Sequence, residues 1–159
     1  MLLQSQAVAA TDVVVDRKTH SITLTRTLRA PRERVFESWT RPEHVKCWWD
    51  PAGYPLAECE IDLRVGGTFR FVSRHSSVEY EFAGVYREIT PPGRLTFLAM
   101  GALGHVILEE SAGKTQMTVK IECSSADHLE QYLKAGVDAG TAKTLDNLVT
   151  YVDATPKST

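Results

Sequence analysis

The chain is short of everything that would announce a chemistry. Its three cysteines, Cys47, Cys59 and Cys123, form no Cys-x-x-Cys pair and have no histidine at zinc-ligand spacing. That argues against a zinc ribbon or a dithiol redox centre. An odd, scattered set suits buried thiols acting as small hydrophobes in a reducing compartment, so the expected location is the cytoplasm. No apolar run approaches the roughly 18 residues of a membrane helix. The start, MLLQSQAVAATD, lacks the positive charge of a signal peptide. Charge of either sign is not in excess: 18 Lys and Arg face 20 Asp and Glu, a net charge of −2 that leaves no footprint for nucleic acid. Also missing are a G-x-S-x-G elbow, an H-E-x-x-H pair, a phosphate-cradling glycine loop and a cysteine with a recognisable histidine partner. His20, His44, His75, His105 and His128 are scattered and read as surface or turn residues. No catalytic residue, metal ligand or cofactor is therefore assigned.

What is present is concentrated in residues 29–50, RAPRERVFESWTRPEHVKCWWD, which hold all three tryptophans. Pro31 suits the start of a helix, where its missing N–H breaks no intrahelical bond, and Val35, Phe36 and Trp39 then share one stripe. Thr40 and Glu43 have the spacing of a capping box with Pro42 in the first turn, so a second helix carrying Val45, Trp48 and Trp49 is expected to follow at once. Asp50-Pro51 should end it. A chain of 159 residues, 43% hydrophobic and 24% charged, has room for one well-buried core.

Elsewhere the period is that of strands. Ile22 and Leu24 suggest a first strand before the helices, and Val13 to Val15 a short piece ahead of it. Strands are expected near 56–63, 67–74, 78–89, 94–100, 104–110 and 115–123, separated by connections short enough to imply an antiparallel meander. From about Ser125 to Val152, Leu129, Leu133, Gly136, Gly140, Thr144, Leu148 and Val152 recur at helical spacing, with Ser124 or Ser125 as N-cap. The plan is α+β: a curved antiparallel sheet of six or seven strands wrapped around one long C-terminal helix, with two short helices after the first strand. It divides into an extension (1–15), the domain (16–153) and a tail (154–159). Leu2, Leu3, Val8, Val13, Val14 and Val15 are apolar without an obvious core, and are expected to pack on a second copy, giving a homodimer, or on an edge strand of their own sheet.

Several motifs together resemble one family. Thr25-Arg26-Thr27, Ala30-Pro31, Val35-Phe36, Trp39-Thr40, Pro42-Glu43-His44, Trp48-Trp49, residues 62–67 (DLRVGG), Gly84-Val85-Tyr86, Glu88-Ile89 with Pro91-Pro92, and residues 145–148 (LDNL) are similar to the START-like (helix-grip, SRPBCC) superfamily. Within it they resemble the group of the C-terminal domain of the activator of heat-shock protein 90 ATPase. The resemblance implies a pocket for a small apolar or amphipathic molecule between the last helix and the sheet. Two departures stand out. Where this group often has Gly-Trp in the last helix, Gly140 is followed by Thr141, and where Gly-Pro often follows the paired tryptophans, the chain has Asp50-Pro51. Losing a helix tryptophan would enlarge or re-line the groove.

The expected lining is Trp39, Trp49, Phe69, Phe71, Tyr80, Phe97, Leu133, Gly136, Val137 and Gly140. Each assignment has a second reading. Helix tryptophans flanked by valine and phenylalanine are more often core than pocket lining, and the two helix glycines could serve close helix-to-sheet packing rather than empty space. Glu58, Glu60 and Asp62, then Arg70 and Arg74, then Glu79, Glu81 and Arg87 alternate on neighbouring strands and should form a solvated ladder of ion pairs. Turned inward, the same residues could do acid–base work. The leading function is a non-catalytic module for a small apolar ligand. Behind it stand a chaperone-associated interaction module, doubtful without the N-terminal domain that such co-chaperones carry, and a cyclase- or hydrolase-like enzyme.

Overall fold

The computed structural model describes residues 10–154. Eight strands form one antiparallel sheet: β1 (Asp12–Asp16), β2 (Ser21–Leu28), β3 (Glu58–Ile61), β4 (Thr68–His75), β5 (Val78–Thr90), β6 (Arg94–Ala99), β7 (Ala102–Ser111) and β8 (Lys114–Glu122), in the spatial order β1-β2-β8-β7-β6-β5-β4-β3. Two short helices, α1 (Arg32–Thr40) and α2 (Pro42–Trp48), separate β2 from β3, and α3 (Ala126–Lys134) and α4 (Val137–Ala154) follow the sheet. The α+β plan and the curved antiparallel meander are as the pattern of the sequence predicts.

The strand beyond the expected six or seven is β1. Asp16 Oδ1 accepts hydrogen bonds from the backbone N–H of Lys18 (2.9 Å) and Thr19 (3.4 Å), a side-chain turn that folds the chain back on itself. Val15 then lies opposite Ile22 and reaches the core, while Val14 faces outward. The apolar segment expected to seek an edge strand does so over Asp12–Asp16; Leu2, Leu3 and Val8 lie outside the described residues. Three hairpins close through two-residue turns in which both residues have positive φ: Ser76-Ser77, Met100-Gly101 and Ala112-Gly113. That geometry matches the twist of the strands it joins.

Two local expectations fail. The capping box does not form: Thr40 Oγ1 donates instead to the carbonyl of Phe36 (2.9 Å), one turn back inside α1. The cap of α2 is Arg41, extended at ψ 127°, whose carbonyl accepts from His44 and Val45. The long C-terminal helix is also not continuous. It breaks at Gly136, whose φ of +79° is left-handed and whose N–H bonds to the Leu133 carbonyl (3.1 Å), closing α3 before α4 starts at Val137. Spacing alone hides the break, because Leu133, Gly136 and Gly140 keep helical intervals across it. Ser125 caps α3, accepting from His128 N–H (3.1 Å).

The core lies on the concave side of the sheet. Leu145, Leu148 and Val152 of α4 and Val35 and Trp39 of α1 belong to one buried cluster with Ile22, Leu24, Leu108 and Met117 of the strands. The opposite face carries the expected ladder: Arg70 pairs with Glu58 (2.6 Å) and Glu81, and Arg74 pairs with Glu58 (3.0 Å) and Glu79 (2.8 Å). Asp62 pairs with Arg64 instead (2.9 Å), and Glu60 and Arg87 have no ion pair among the described residues. With Arg70 35% and Glu58 37% exposed, the inward acid–base reading does not hold. Val72, fully buried on this outer face, lies between Arg70 and Arg74 along β4 and opposite Glu58 and Glu81, and is roofed by these long side chains.

Two expected outcomes follow from this geometry. Gly140 is helical, and beyond its own chain neighbours and helix backbone no atom of the described residues lies within 4 Å of the position a Cβ would take there. It should therefore tolerate alanine with a gain of about 0.5–1 kcal/mol in urea denaturation, whereas Gly136→Ala should lose about 1–2 kcal/mol to the left-handed backbone. Hydrogen bonds from Arg70 and then Arg74 hold the Glu58 carboxyl below its ordinary value of 4.5. Its contribution to stability is thus complete above that value and lost as pH falls through the lowered one. In Arg70→Met the deficit in urea midpoint relative to the parent should be largest above pH 4.5 and shrink below it; a deficit constant across pH would remove this assignment.

Candidate functional site

The helical pair carries an aromatic wedge. Trp39 and Trp48 meet edge-on with centroids 5.0 Å apart, and Trp49 reaches past them to Phe71 (4.9 Å) and Phe82 (5.1 Å) on the sheet. Trp48 is core, its Nε1 donating to the Ser38 carbonyl (3.0 Å). Trp39 is buried as well, with Nε1 directed at Met117 Sδ (3.4 Å). Each burial of this kind removes on the order of 150–250 Å² from water, about 4–6 kcal/mol of transfer free energy before entropy is charged against it.

Beside the wedge, between the first half of α4 and strands β5 to β8, lies a cavity of about 260 Å³. Of the residues expected to line it, Trp39, Trp49, Phe97, Val137 and Gly140 do so. Phe69 and Phe71 instead form the aromatic floor beneath Trp49, beside a crevice of only about 10 Å³, too small for an organic ligand. Leu133 and Gly136 are not in the wall: Leu133 is half-buried against the core cluster from α3, and Gly136 is the left-handed break between the two helices. Tyr80 is 59% exposed near the β4–β5 turn, with its ring 5.9 Å from that of His75. Sequence reasoning missed Pro51, Phe82, Met100, Tyr132, Thr141 and Thr144, all of which line the cavity. Thr144 was legible as a helix-face position and Thr141 as the departure from Gly-Trp; Met100 and Pro51 sit in turns, where periodicity carries no signal.

The empty volume has identifiable causes. On β7, directly opposite Phe97, Gly104 lets that ring lie across the strand: a Cβ there would meet Phe97 Cε2 at 2.6 Å. Gly84 does the same for Phe69 at 2.7 Å. Above them Gly140 leaves the helix face bare.

The mouth is framed by hydrogen-bonded turns. Thr144 Oγ1 donates to the Trp49 carbonyl (3.0 Å) and Asn147 Nδ2 to the Asp50 carbonyl (2.9 Å), tying α4 to the strap after α2. Asp50 is itself buried: Oδ1 accepts from Ala52 N–H (2.8 Å), while Oδ2 has no hydrogen bond among the described residues and lies 3.4 Å from His75 Nε2, against whose ring Tyr54 stacks at 4.7 Å. Across the opening, Tyr132 Oη donates to the Met100 carbonyl (2.9 Å), which His128 Nε2 also approaches (3.3 Å). His128 Nδ1 accepts from Ser124 N–H, so the tautomer with the proton on Nε2 fits both contacts.

No acidic or basic side chain is part of the lining. Burial pushes the Tyr132 hydroxyl above its ordinary value and the Cys59 thiol up to about 11, so Cys59 is not a thiolate at neutral pH. Among the described residues no group of three His, Cys, Asp or Glu side chains could hold a metal ion, and no helix is long and apolar enough to cross a membrane. A wider polar groove of about 790 Å³ between β2 and the end of α4 is bounded by Ala10 and Ala154, where the described residues stop, and is not a closed site.

Comparison with known proteins places this geometry. The family model described as Activator of Hsp90 ATPase homolog 1-like protein matches residues 29–153. No functionally curated protein matches the sequence. Among solved structures, a protein from Mycobacterium smegmatis is 24% identical over 93% of this chain and 100% of its own, with a TM-score of 0.83. One from Arthrobacter aurescens is 18% identical over 94% and 95%, with a TM-score of 0.85. An AHSA1-like protein from Aeromonas hydrophila is 22% identical over 83% and 92%, with a TM-score of 0.71. At these identities the likeness speaks for the fold, while the match of the family model over most of the sequence settles the kinship: the chain belongs to the family of Activator of Hsp90 ATPase homolog 1-like proteins, built on the helix-grip fold.

Proposed function

We propose that this protein is a binding module that holds a small apolar or amphipathic molecule in the cavity between α4 and the sheet. The observation that carries the reading is the cavity itself: about 260 Å³, walled by aromatic and aliphatic side chains, and just under the lower end of the roughly 300–1,000 Å³ typical of small-molecule sites. A role confined to the outer surface gives no reason for α4 to stand off the sheet, since filling the space with side chains would be worth ~1 kcal/mol or more per methylene group. A hydrolase- or cyclase-like reaction would call for an acid or base at the ligand, and the polar side-chain groups of the wall are three hydroxyls and two indoles. Chaperone association, suggested by the family's description, would rest on a surface rather than on this cavity.

The test is to fill the space from Gly140. Gly140→Trp should abolish the binding of naphthalene, a neutral apolar probe of the size of the cavity, measured by calorimetry, while leaving the cooperative thermal transition in place. A folded variant that still takes up the probe would overturn the reading.

A further inference from the structure

The chemistry of the wall says more about the occupant than its apolarity does. Three hydroxyl groups line the cavity, on Tyr132, Thr141 and Thr144. Two have already committed their protons: Tyr132 donates to the Met100 carbonyl at 2.9 Å and Thr144 to the Trp49 carbonyl at 3.0 Å. Their oxygens retain only acceptor capacity toward the cavity. Thr141 differs. Helix hydroxyls commonly bond back to the carbonyl four residues earlier, and Ser38, Thr40 and Thr150 of this chain do so, to Arg34, Phe36 and Asp146. Thr141 makes no such bond and no other among the described residues. It is half-buried, one helical turn after Val137 on the face of α4 that lines the space, next to Gly140, whose absent side chain leaves its flank open.

We infer that the cavity selects a neutral molecule with an apolar body and one hydroxyl group, in preference to the bare hydrocarbon and to the corresponding carboxylate, and that Thr141 is the residue that reads the hydroxyl. The inference rests on the binding function proposed above and deepens it. A ligand hydroxyl accepts from the Thr141 hydroxyl and donates its own proton to the oxygen of Tyr132 or Thr144, so the ligand hydroxyl and Thr141 are both satisfied. A hydrocarbon leaves Thr141 unpaired when it displaces water. A carboxylate brings a full charge into a wall with no Lys, Arg or His in it, and has no proton to give to the two acceptor oxygens. The volume bounds the size: about 260 Å³ is equivalent to roughly nine water molecules at liquid density, the scale of a bicyclic aromatic or a short branched alcohol rather than a long acyl chain.

The experiment is isothermal titration calorimetry of the full chain with naphthalene, naphthol and naphthoate at neutral pH, repeated for Thr141→Val and Thr141→Ser. In the parent, naphthol is expected to bind about fivefold tighter than naphthalene, the worth of one neutral hydrogen bond, and naphthoate about tenfold or more weaker than naphthol. Thr141→Val, equal in shape and lacking the hydroxyl, should abolish the preference, weakening naphthol and tightening naphthalene, which no longer leaves a hydroxyl unpaired; Thr141→Ser should keep the preference. Equal binding of naphthol and naphthalene by the parent, a preference that survives in Thr141→Val, or naphthoate binding as tightly as naphthol would each overturn the inference while the binding function stands. Failure of all three compounds to bind would remove both together.

Discussion

Everything in the half of this molecule that holds the cavity depends on Trp49 acting as a spacer. Its ring sits edge-on against Phe71 and beside Phe82, so its position relative to the sheet is fixed by aromatic packing. Its backbone carbonyl accepts the hydroxyl of Thr144, so α4 is tied to the same residue from the other side. A helix held through a ring of that width cannot settle onto the strands. Asn147, bonded to the neighbouring Asp50 carbonyl, repeats the tie one turn further along. Beyond these two points, toward the C-terminus of α4, Leu148 and Val152 close on the strands and exclude water; on the N-terminal side the helix and sheet diverge, and the cavity opens.

Residue size on the diverging side then decides how much of the gap stays empty. Gly104 does not itself leave space, because the ring of Phe97 lies over it, but it lowers that ring toward the backbone and so deepens the floor. Gly140 and Thr141 set the ceiling. An aromatic side chain at either helix position would occupy the space directly, and this chain has a bare backbone and a short hydroxyl there instead. The cost of glycine inside a helix, roughly 1 kcal/mol relative to alanine, is consistent with a wall shaped for an occupant and is hard to reconcile with tight packing, since beyond its own chain neighbours and helix backbone no atom of the described residues lies within 4 Å of the Gly140 Cβ direction.

The fold was legible in the sequence because its signals are periodic. Alternation marks the strands from Glu58 to Glu122, the tryptophan module fixes the helical pair, and the alternating charges of Glu58, Arg70, Arg74, Glu79 and Glu81 mark the solvent face correctly. What was lost was local backbone geometry. Gly136 keeps the helical interval although its φ is left-handed, and Thr40 has the spacing of a cap although its hydroxyl is taken by the preceding turn. The cavity was half legible. Residues on regular elements, such as Phe97, Val137 and Gly140, could be placed by parity, whereas Met100 and Pro51 enter through turns whose direction no period encodes. Tyr80 shows the limit of parity: it shares a strand face with Phe82, which lines the cavity, yet stands two residues nearer the β4–β5 turn, beyond the reach of α4, and is exposed.

The break at Gly136 gives the two halves of α4 different mechanical standing. From Thr144 onward the helix is held by side-chain hydrogen bonds to the strap and by buried leucines. From Val137 to Lys143 no side chain makes a hydrogen bond to another part of the chain among the described residues, and the segment begins at a residue whose own conformation interrupts helical continuity. That weakly held stretch is the one contributing Val137, Gly140 and Thr141 to the wall. The opposite wall, made of strands β5 to β8 paired on both sides, has its backbone groups committed to the ladder and cannot yield locally. Local opening draws on the segments with the fewest buried contacts and hydrogen bonds. The cavity is therefore rigid on the side that shapes its floor, and compliant on the side that carries its unpaired hydroxyl.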